Sequence, residues 1–345
     1  MKITPLQAIL LILAVLITII AVLIFAGVLP GFRGALFQGS EALTMWGTLP
    51  KDALSQTILD IKQNFRNVSL GYKQIPLNTF ESALITALAT GRGPDLVIFP
   101  DELILKHRDK VLILSEDFIT ERNFRDIFID GTEILILPEG ITALPLVVDP
   151  MILYWNRDLF RNEGLSQPPK TWDEFILVSQ KLTKIEDAGK MAQSGAALGL
   201  ESNVVNFKEI LSLLILQTGA PIINRTTLKV DLEPTLKGAR EPLPNALRFF
   251  REFSDPRKLS YSWAPNLPSS KEAFLKGSLA MYFGFASEFQ SIRVGNPHLN
   301  FDLAPVPQIR GSNLKVTYGR FSSLGISRQS KNPALAWSLM QFLLS

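Results

Sequence analysis

Two histidines and no cysteine leave little for nucleophilic or metal chemistry in a chain of 345 residues. His107 and His298 are far apart, and His107 sits in the charged run Lys106-His107-Arg108-Asp109-Lys110, the pattern of a solvated face. HExxH, GxSxG and Walker-type loops are absent. Two carboxylates would be enough to cleave a glycoside, but no acidic pair stands out. The side chains that could do chemistry are those of a recognition site. Trp46, Tyr154, Trp263 and Phe285 offer flat faces; Asp101, Asp149 and Arg320 offer fixed acceptors and donors. Aromatic surface with a few placed polar groups is the general make-up of a small-molecule cleft.

The sequence neighbourhood of each candidate bears on its role. Asp101 follows the apolar stretch ending at Phe99, beside Glu102. Asp149 lies among Val147, Val148, Pro150 and Met151, so it needs a partner wherever it is buried. Tyr154 and Trp155 alternate along one extended segment, so only one of them can face a cleft. Trp263 lies with Tyr261 in a loop before a helix. Trp172 and Trp337 sit inside helical patterns and are expected in the core.

The elements that position these residues alternate. Glu41 to Gly47 reads as a strand, Pro50 to Phe65 as an amphipathic helix and Val68 to Ile75 as a strand. Asn78, with Glu81 three residues on, reads as the cap of a helix reaching about Thr90. Gly91-Arg92-Gly93-Pro94 stops it, and 95–99 is a short apolar strand. This rhythm is that of an α/β sheet with mostly parallel strands. Thr142 to Trp155 is extended but broken by Pro145 and Pro150, which suits an edge or crossover strand. Thr171 and Glu174 form a capping-box pattern for a helix to about Lys184. Helices at 206–218, 242–254 and 270–277 follow, then strands at 279–284, 301–305 and 322–327 and a last helix from Pro333.

Before all of this, Leu6 to Leu29 contains no charged residue. At about 1.5 Å per residue it reaches roughly 36 Å, enough to cross a hydrocarbon core of about 30 Å. A cleaved signal peptide has a shorter apolar core and a small-residue cleavage site. An uncleaved anchor is therefore expected, single-pass in the cell membrane, with the body on the extracytoplasmic side; cleavage is the alternative. Basic and acidic residues number 35 and 32, for a net charge of +3, without a basic run interleaved with aromatics. No nucleic-acid partner is expected.

Four stretches in order resemble one family: GPDLVIF (93–99), LPLVVDPMILYWNRDLFRNEGLSQPPKTWDEF (144–175), AFLKGSLAMYFGF (273–285) and SKNPALAWSLMQFLLS (330–345). They are similar to extracellular solute-binding proteins of the maltose/oligosaccharide-binding type, the receptors of ABC importers. The resemblance covers residues 41–345. It implies a two-lobed α/β fold of the periplasmic-binding-protein type (type II), a sugar or oligosaccharide as ligand, ABC permease subunits as partners, lobe closure over the ligand, and neither cofactor nor metal. Trp46 then takes a place at the cleft mouth and Asp149 that of a ligand-binding acid in the crossover. Phe285 stands near where relatives carry Trp, and Arg320 where they carry Gly. The expected organisation is a tail at 1–5, the anchor at 6–29 and a linker at 30–40. One lobe is 41–147 with about 320–345, and the other is 148–319. Relatives continue for several helices past the point where this sequence stops, so the C-terminal part of the family fold is expected to be missing. A carbohydrate-active hydrolase and a transporter-independent sensor or adhesin remain open as alternative functions.

Overall fold

The computed structural model describes residues 41–65, 68–186, 189–224, 227–232 and 241–344. The expected membrane-spanning segment, 6–29, lies outside these residues together with its tail and linker. Among the described residues no helix is long and apolar enough to cross a membrane. In chain order, the elements that carry the argument are β1 (Glu41–Gly47), α1 (Lys51–Asn64), β2 (Val68–Gln74), α2 (Leu77–Ala89), β3 (Leu96–Pro100), the one-turn α3 (Asp101–Ile104) and β4 (Leu144–Asn156). They continue with α4 (Trp172–Leu182), β5 (Met191–Ala196), α5 (Phe207–Leu216), β6 (Leu279–Phe285), β7 (Phe301–Ala304), β8 (Gly319–Ile326) and α6 (Pro333–Leu343).

The chain forms two compact units. Of the described residues, the smaller takes those from 41 to Phe99, then Asp109–Leu112 and those from Leu324 on; the larger takes Pro100–Arg108 and Ile113–Ser323. Residues 100–108, 113–147 and 320–323, expected with the first lobe, group with the larger unit.

In the smaller unit β1 pairs in parallel with both β2 and β3, placing Trp46 opposite Lys73 and Val97. Leu43 and Met45 alternate inward, and β3 is buried along its whole length. Phe80, Leu84 and Leu88, at helical spacing on α2, close over the sheet, with Phe80 edge-on to Phe99 at 6.2 Å. The start of α2 differs from the expected capping box. Pro76, with φ already at −57°, precedes the first helical residue, and Asn78 falls inside the first turn without capping it. Asp95 of the GPD motif is structural. Its carboxylate accepts from the Thr44 amide at 2.9 Å, the Thr44 hydroxyl at 3.2 Å and the Ser330 hydroxyl at 2.9 Å, pinning β1 to the turn before α6.

In the larger unit the strands run β8, β4, β6, β5, with β7 also on β4. The sheet is mixed rather than mostly parallel: β6 is antiparallel to β4 and parallel to β5, and β7 is antiparallel to β4. The registers of β4 with β6 and β7 span Met151–Asn156, beyond both prolines, so the latter half of β4 is central in the sheet. α4 begins at the expected Thr171 cap, whose hydroxyl accepts from the Glu174 amide at 3.4 Å. The Glu174 carboxylate reaches the Lys170 amide at 2.8 Å, one residue earlier than a standard capping box. Trp172, Phe175 and Leu182 then face a core shared with Tyr154, Phe253, Trp263 and Phe283. β5 had no strand signal in the sequence: Met-Ala-Gln-Ser-Gly-Ala has no β-branched residue.

Candidate functional site

Within the larger unit, one cluster of polar side chains gathers at strand ends and helix starts. β8 supplies Arg320, preceded by Tyr318. The start of α5 supplies Lys208 and Glu209, with Asn206 before them; α3 supplies Asp101 and Glu102, and the end of β6 supplies Phe285. The Arg320 guanidinium lies over Phe285, its carbon 3.9 Å from the ring centroid, and donates to Glu209 at 2.6 Å and to Asn206 at 3.3 Å. Planar guanidinium groups suit such stacking while still offering further N–H donors. Glu209 is 5% exposed, so Arg320 is the cation that makes its burial tolerable. Lys208 pairs with Glu102 at 2.7 Å.

Asn206 adopts the left-handed conformation at φ 64°, a region that Asn tolerates better than most residues. It stands at the N-cap of α5 without capping it, because its side chain is used elsewhere. Its amide nitrogen donates at 3.4 Å both to Glu288 and to the carbonyl of Phe283. Glu288 in turn accepts from the Phe285 amide at 3.0 Å and the Tyr282 hydroxyl at 2.9 Å, and pairs with Lys271 at 2.6 Å. This network holds the end of β6 and so the ring beneath Arg320.

Asp149 does have the partner that its apolar surroundings demand. Ser287 donates to it twice, from its amide at 2.9 Å and its hydroxyl at 2.6 Å. Asp101 is held differently. Burial, with the Glu102 charge adding to it, pushes its carboxyl up to about 6, against a hydrogen bond from the Glu102 amide and the nearby charges of Arg320 and Lys208. Burial likewise raises the Tyr318 hydroxyl, with Asp101 and Glu209 contributing.

The Asp101 shift has a definite sign. The folded protein binds this proton near pH 6, whereas the unfolded chain binds it only near pH 4. Stability therefore rises as pH falls through 6, by at most about 3 kcal/mol from this group, and the gain is complete near pH 4. Asp101→Asn is expected to remove that slope. The difference in urea midpoint between wild type and variant, followed from pH 4 to 8, isolates the contribution from those of other carboxylates.

The larger unit does not use two of the predicted aromatics as surface. Tyr154 is fully buried, and its hydroxyl donates to the Phe285 carbonyl at 2.7 Å. Trp263 is also fully buried, and its indole donates to Asn203 at 2.8 Å. Each polar tip is satisfied inside the fold and no ring face is free, so both are corrected from binding to packing roles. Phe285 is 1% exposed and lies under Arg320, which excludes it as a bare stacking platform. The remaining member of the predicted set, Trp46, is on the smaller unit. It is half-buried, carries the Lys73 ammonium 4.3 Å from its ring centroid, and lines a cavity of about 480 Å³. A separate cavity of about 560 Å³ in the larger unit, beside Trp155, Pro168 and Leu303, includes none of the predicted residues. Asn206, Glu209 and Glu288 were missed in sequence, since each looks like an ordinary helix or loop residue until the fold brings them together.

A model of the bacterial extracellular solute-binding protein family matches residues 58–345. The chain belongs to that family. A predicted binding protein of Brucella abortus is 22% identical over 285 residues, covering 80% of this chain and 64% of its own length. The maltodextrin-binding protein MdxE of Bacillus subtilis is 23% identical over 202 residues, 59% of this chain and 45% of its own length. This solute-binding chain thus spans under two thirds of the length of these relatives. Among solved structures, the sugar-binding protein MalE of Xanthomonas citri superposes with a TM-score of 0.69 at 19% identity, covering 88% of this chain and 75% of that one. That likeness establishes the mixed α/β solute-binding fold. Family and relatives are binding proteins rather than enzymes.

Proposed function

We propose that this solute-binding protein is the extracytoplasmic receptor of an ABC importer and that its cargo is a carbohydrate. The observation that carries the reading is the cluster around Arg320. A partly buried acid, Asp101, stands in the field of two cations, Arg320 and Lys208, at strand and helix ends of the larger unit. Such a set can accept from and donate to ligand hydroxyls at once. The solute-binding family and the maltodextrin- and sugar-binding relatives support the same reading. Lobe closure over the ligand and delivery to permease subunits belong to the proposal. So does a tether through residues 6–29, which would raise the local concentration of receptor at the membrane. Detergent-dependent extraction of the full chain, lost on deleting 6–29, is the outcome expected for the tether.

Calorimetry with a panel of mono- and oligosaccharides tests the cargo. A saccharide is expected to bind, and Asp101→Asn and Arg320→Lys are each expected to weaken it by about 10-fold or more, as for loss of a hydrogen bond to a charged group. Unchanged affinity in both variants would reject this cluster as the site.

A further inference from the structure

α5 meets the Arg320 cluster in its first turn, through Glu209, and its other end reaches the same stretch of chain from below. Gln217, the C-cap residue of α5, is 3% exposed. Its Oε1 accepts from the Trp172 indole at 2.6 Å. An indole N–H can only donate, which fixes the orientation of the amide. Its Nε2 then donates to the carbonyls of Pro307 at 2.9 Å and Val316 at 3.0 Å. An apolar side chain could fill the same space, but it would leave the indole and both carbonyls without this partner.

Val316 is the base of a loop that closes on itself. Gln308 accepts from the Val316 amide at 3.0 Å and donates to the carbonyls of Val316 at 3.1 Å and Val306 at 3.0 Å. From this base the chain runs directly into the cluster. The Thr317 hydroxyl donates to the Met151 carbonyl at 2.7 Å, and the Tyr318 carbonyl accepts from the Met151 amide at 2.7 Å. Gly319 and Arg320 then open β8. α5 therefore holds residues 316–320 at both ends, Arg320 by Glu209 and Val316 by Gln217. From 209 to 217 a helix advances about 12 Å, and from 316 to 320 an extended chain covers about 13 Å, so the two lengths match. Helix and strand run in opposite directions between the two ties.

We infer that Gln217 is a positioning residue of the ligand site, acting through Val316 to set Tyr318 and Arg320 where the cargo meets them. The inference rests on the Arg320 cluster being the carbohydrate site, and it adds a residue that does not itself touch the cargo. The Glu209 ion pair alone would hold the guanidinium on a chain free to shift at its base. With both ties in place the strand is fixed before the cargo arrives, and less ordering remains to be done on binding.

The test uses Gln217→Met in the full chain, a side chain of similar length without the amide, with folding checked by circular dichroism. In the absence of saccharide, amide hydrogen exchange over residues 316–320 is expected to quicken by about 10-fold relative to the wild type, while exchange along β5 stays as it was. Calorimetry with the panel of mono- and oligosaccharides is expected to show binding weakened by about 10-fold. In the Arg320→Lys background the same substitution is expected to cost about 2-fold or less, because its effect passes through Arg320. A role confined to stability would lower the urea midpoint and leave the affinity of the folded protein in place. Unchanged exchange over 316–320, unchanged affinity, or an equal loss in both backgrounds overturns the inference and leaves the carbohydrate reading standing. Failure of every saccharide to bind the wild type overturns both.

Discussion

Trp263→Ala is expected to destabilise the larger unit by about 3–5 kcal/mol, the usual cost of deleting a fully buried Trp from a core. The ring is 0% exposed and belongs to the same core as Phe175, Phe253 and Phe283. Its loss also strands a hydrogen-bond hub. Asn203 accepts from the indole at 2.8 Å and uses its own amide on the carbonyls of Ala264 and Leu267 at 3.0 and 3.1 Å. Asn203 is half-buried, so an acceptor left without its donor there adds a smaller penalty on top of the packing loss. In a unit of this size the melting temperature should fall by roughly 10 °C or more. Circular dichroism through urea and thermal unfolding checks this without relying on tryptophan emission. The same measurement separates the two roles considered for this residue. A stacking platform in a binding site would lower ligand affinity and leave the unfolding midpoint in place. Here the midpoint should move first.

Gly195→Ala is expected to cost about 3 kcal/mol or more, at or above the upper range for overpacking. Gly195 lies in β5 with an ordinary backbone conformation, so the effect is not conformational strain. A Cβ there would run into the main chain of α4: the Ser179 carbonyl oxygen, and its carbonyl carbon and Cα at 2.7 Å. Main-chain atoms cannot rotate aside as a side chain would, so helix and strand would have to part. That would also break the bridge in which the Thr183 hydroxyl accepts from the Gly195 amide at 3.1 Å and donates to the Ser179 carbonyl at 2.7 Å. Gly164→Ala is the control. It has positive φ of 66°, and no neighbour lies within 4 Å of where the added methyl would stand, so it should lose only the roughly 1 kcal/mol of a left-handed residue. Urea unfolding of the two variants side by side tests whether close approach or dihedral strain is the larger penalty.

Most element positions were legible because they follow from local periodicity. The α2 face of Phe80, Leu84 and Leu88, the Thr171 cap and the buried stretch 96–100 all come from spacing that a few residues carry among themselves. β5 escaped because nothing in its six residues prefers a strand; it is one because β6 pairs with it and Gly195 lets α4 sit close. The mixed direction of the larger unit's sheet escaped for a similar reason, since strand direction is set by partners distant in sequence.

The same division holds for the site. Sequence alone pointed to binding rather than catalysis, through the residue types it lacks and the four stretches that resemble solute-binding proteins, while a hydrolase using two carboxylates stayed open; the family match decided for binding. Sequence also picked out Asp101, Asp149 and Arg320 as polar candidates. Only the tertiary structure decided which aromatic rings were spent in the core. Burial depends on what packs over a ring, and Tyr154 and Trp263 are covered by residues far along the chain, as Phe285 is by Arg320. Only the tertiary structure, too, gave Arg320 its partners. Glu209 lies 111 residues away and Asn206 114, and no local pattern in either segment announces the other. Helix and strand signals are short-range sums over neighbours, whereas a recognition site is a meeting of side chains whose sequence separation carries no information about their distance in space.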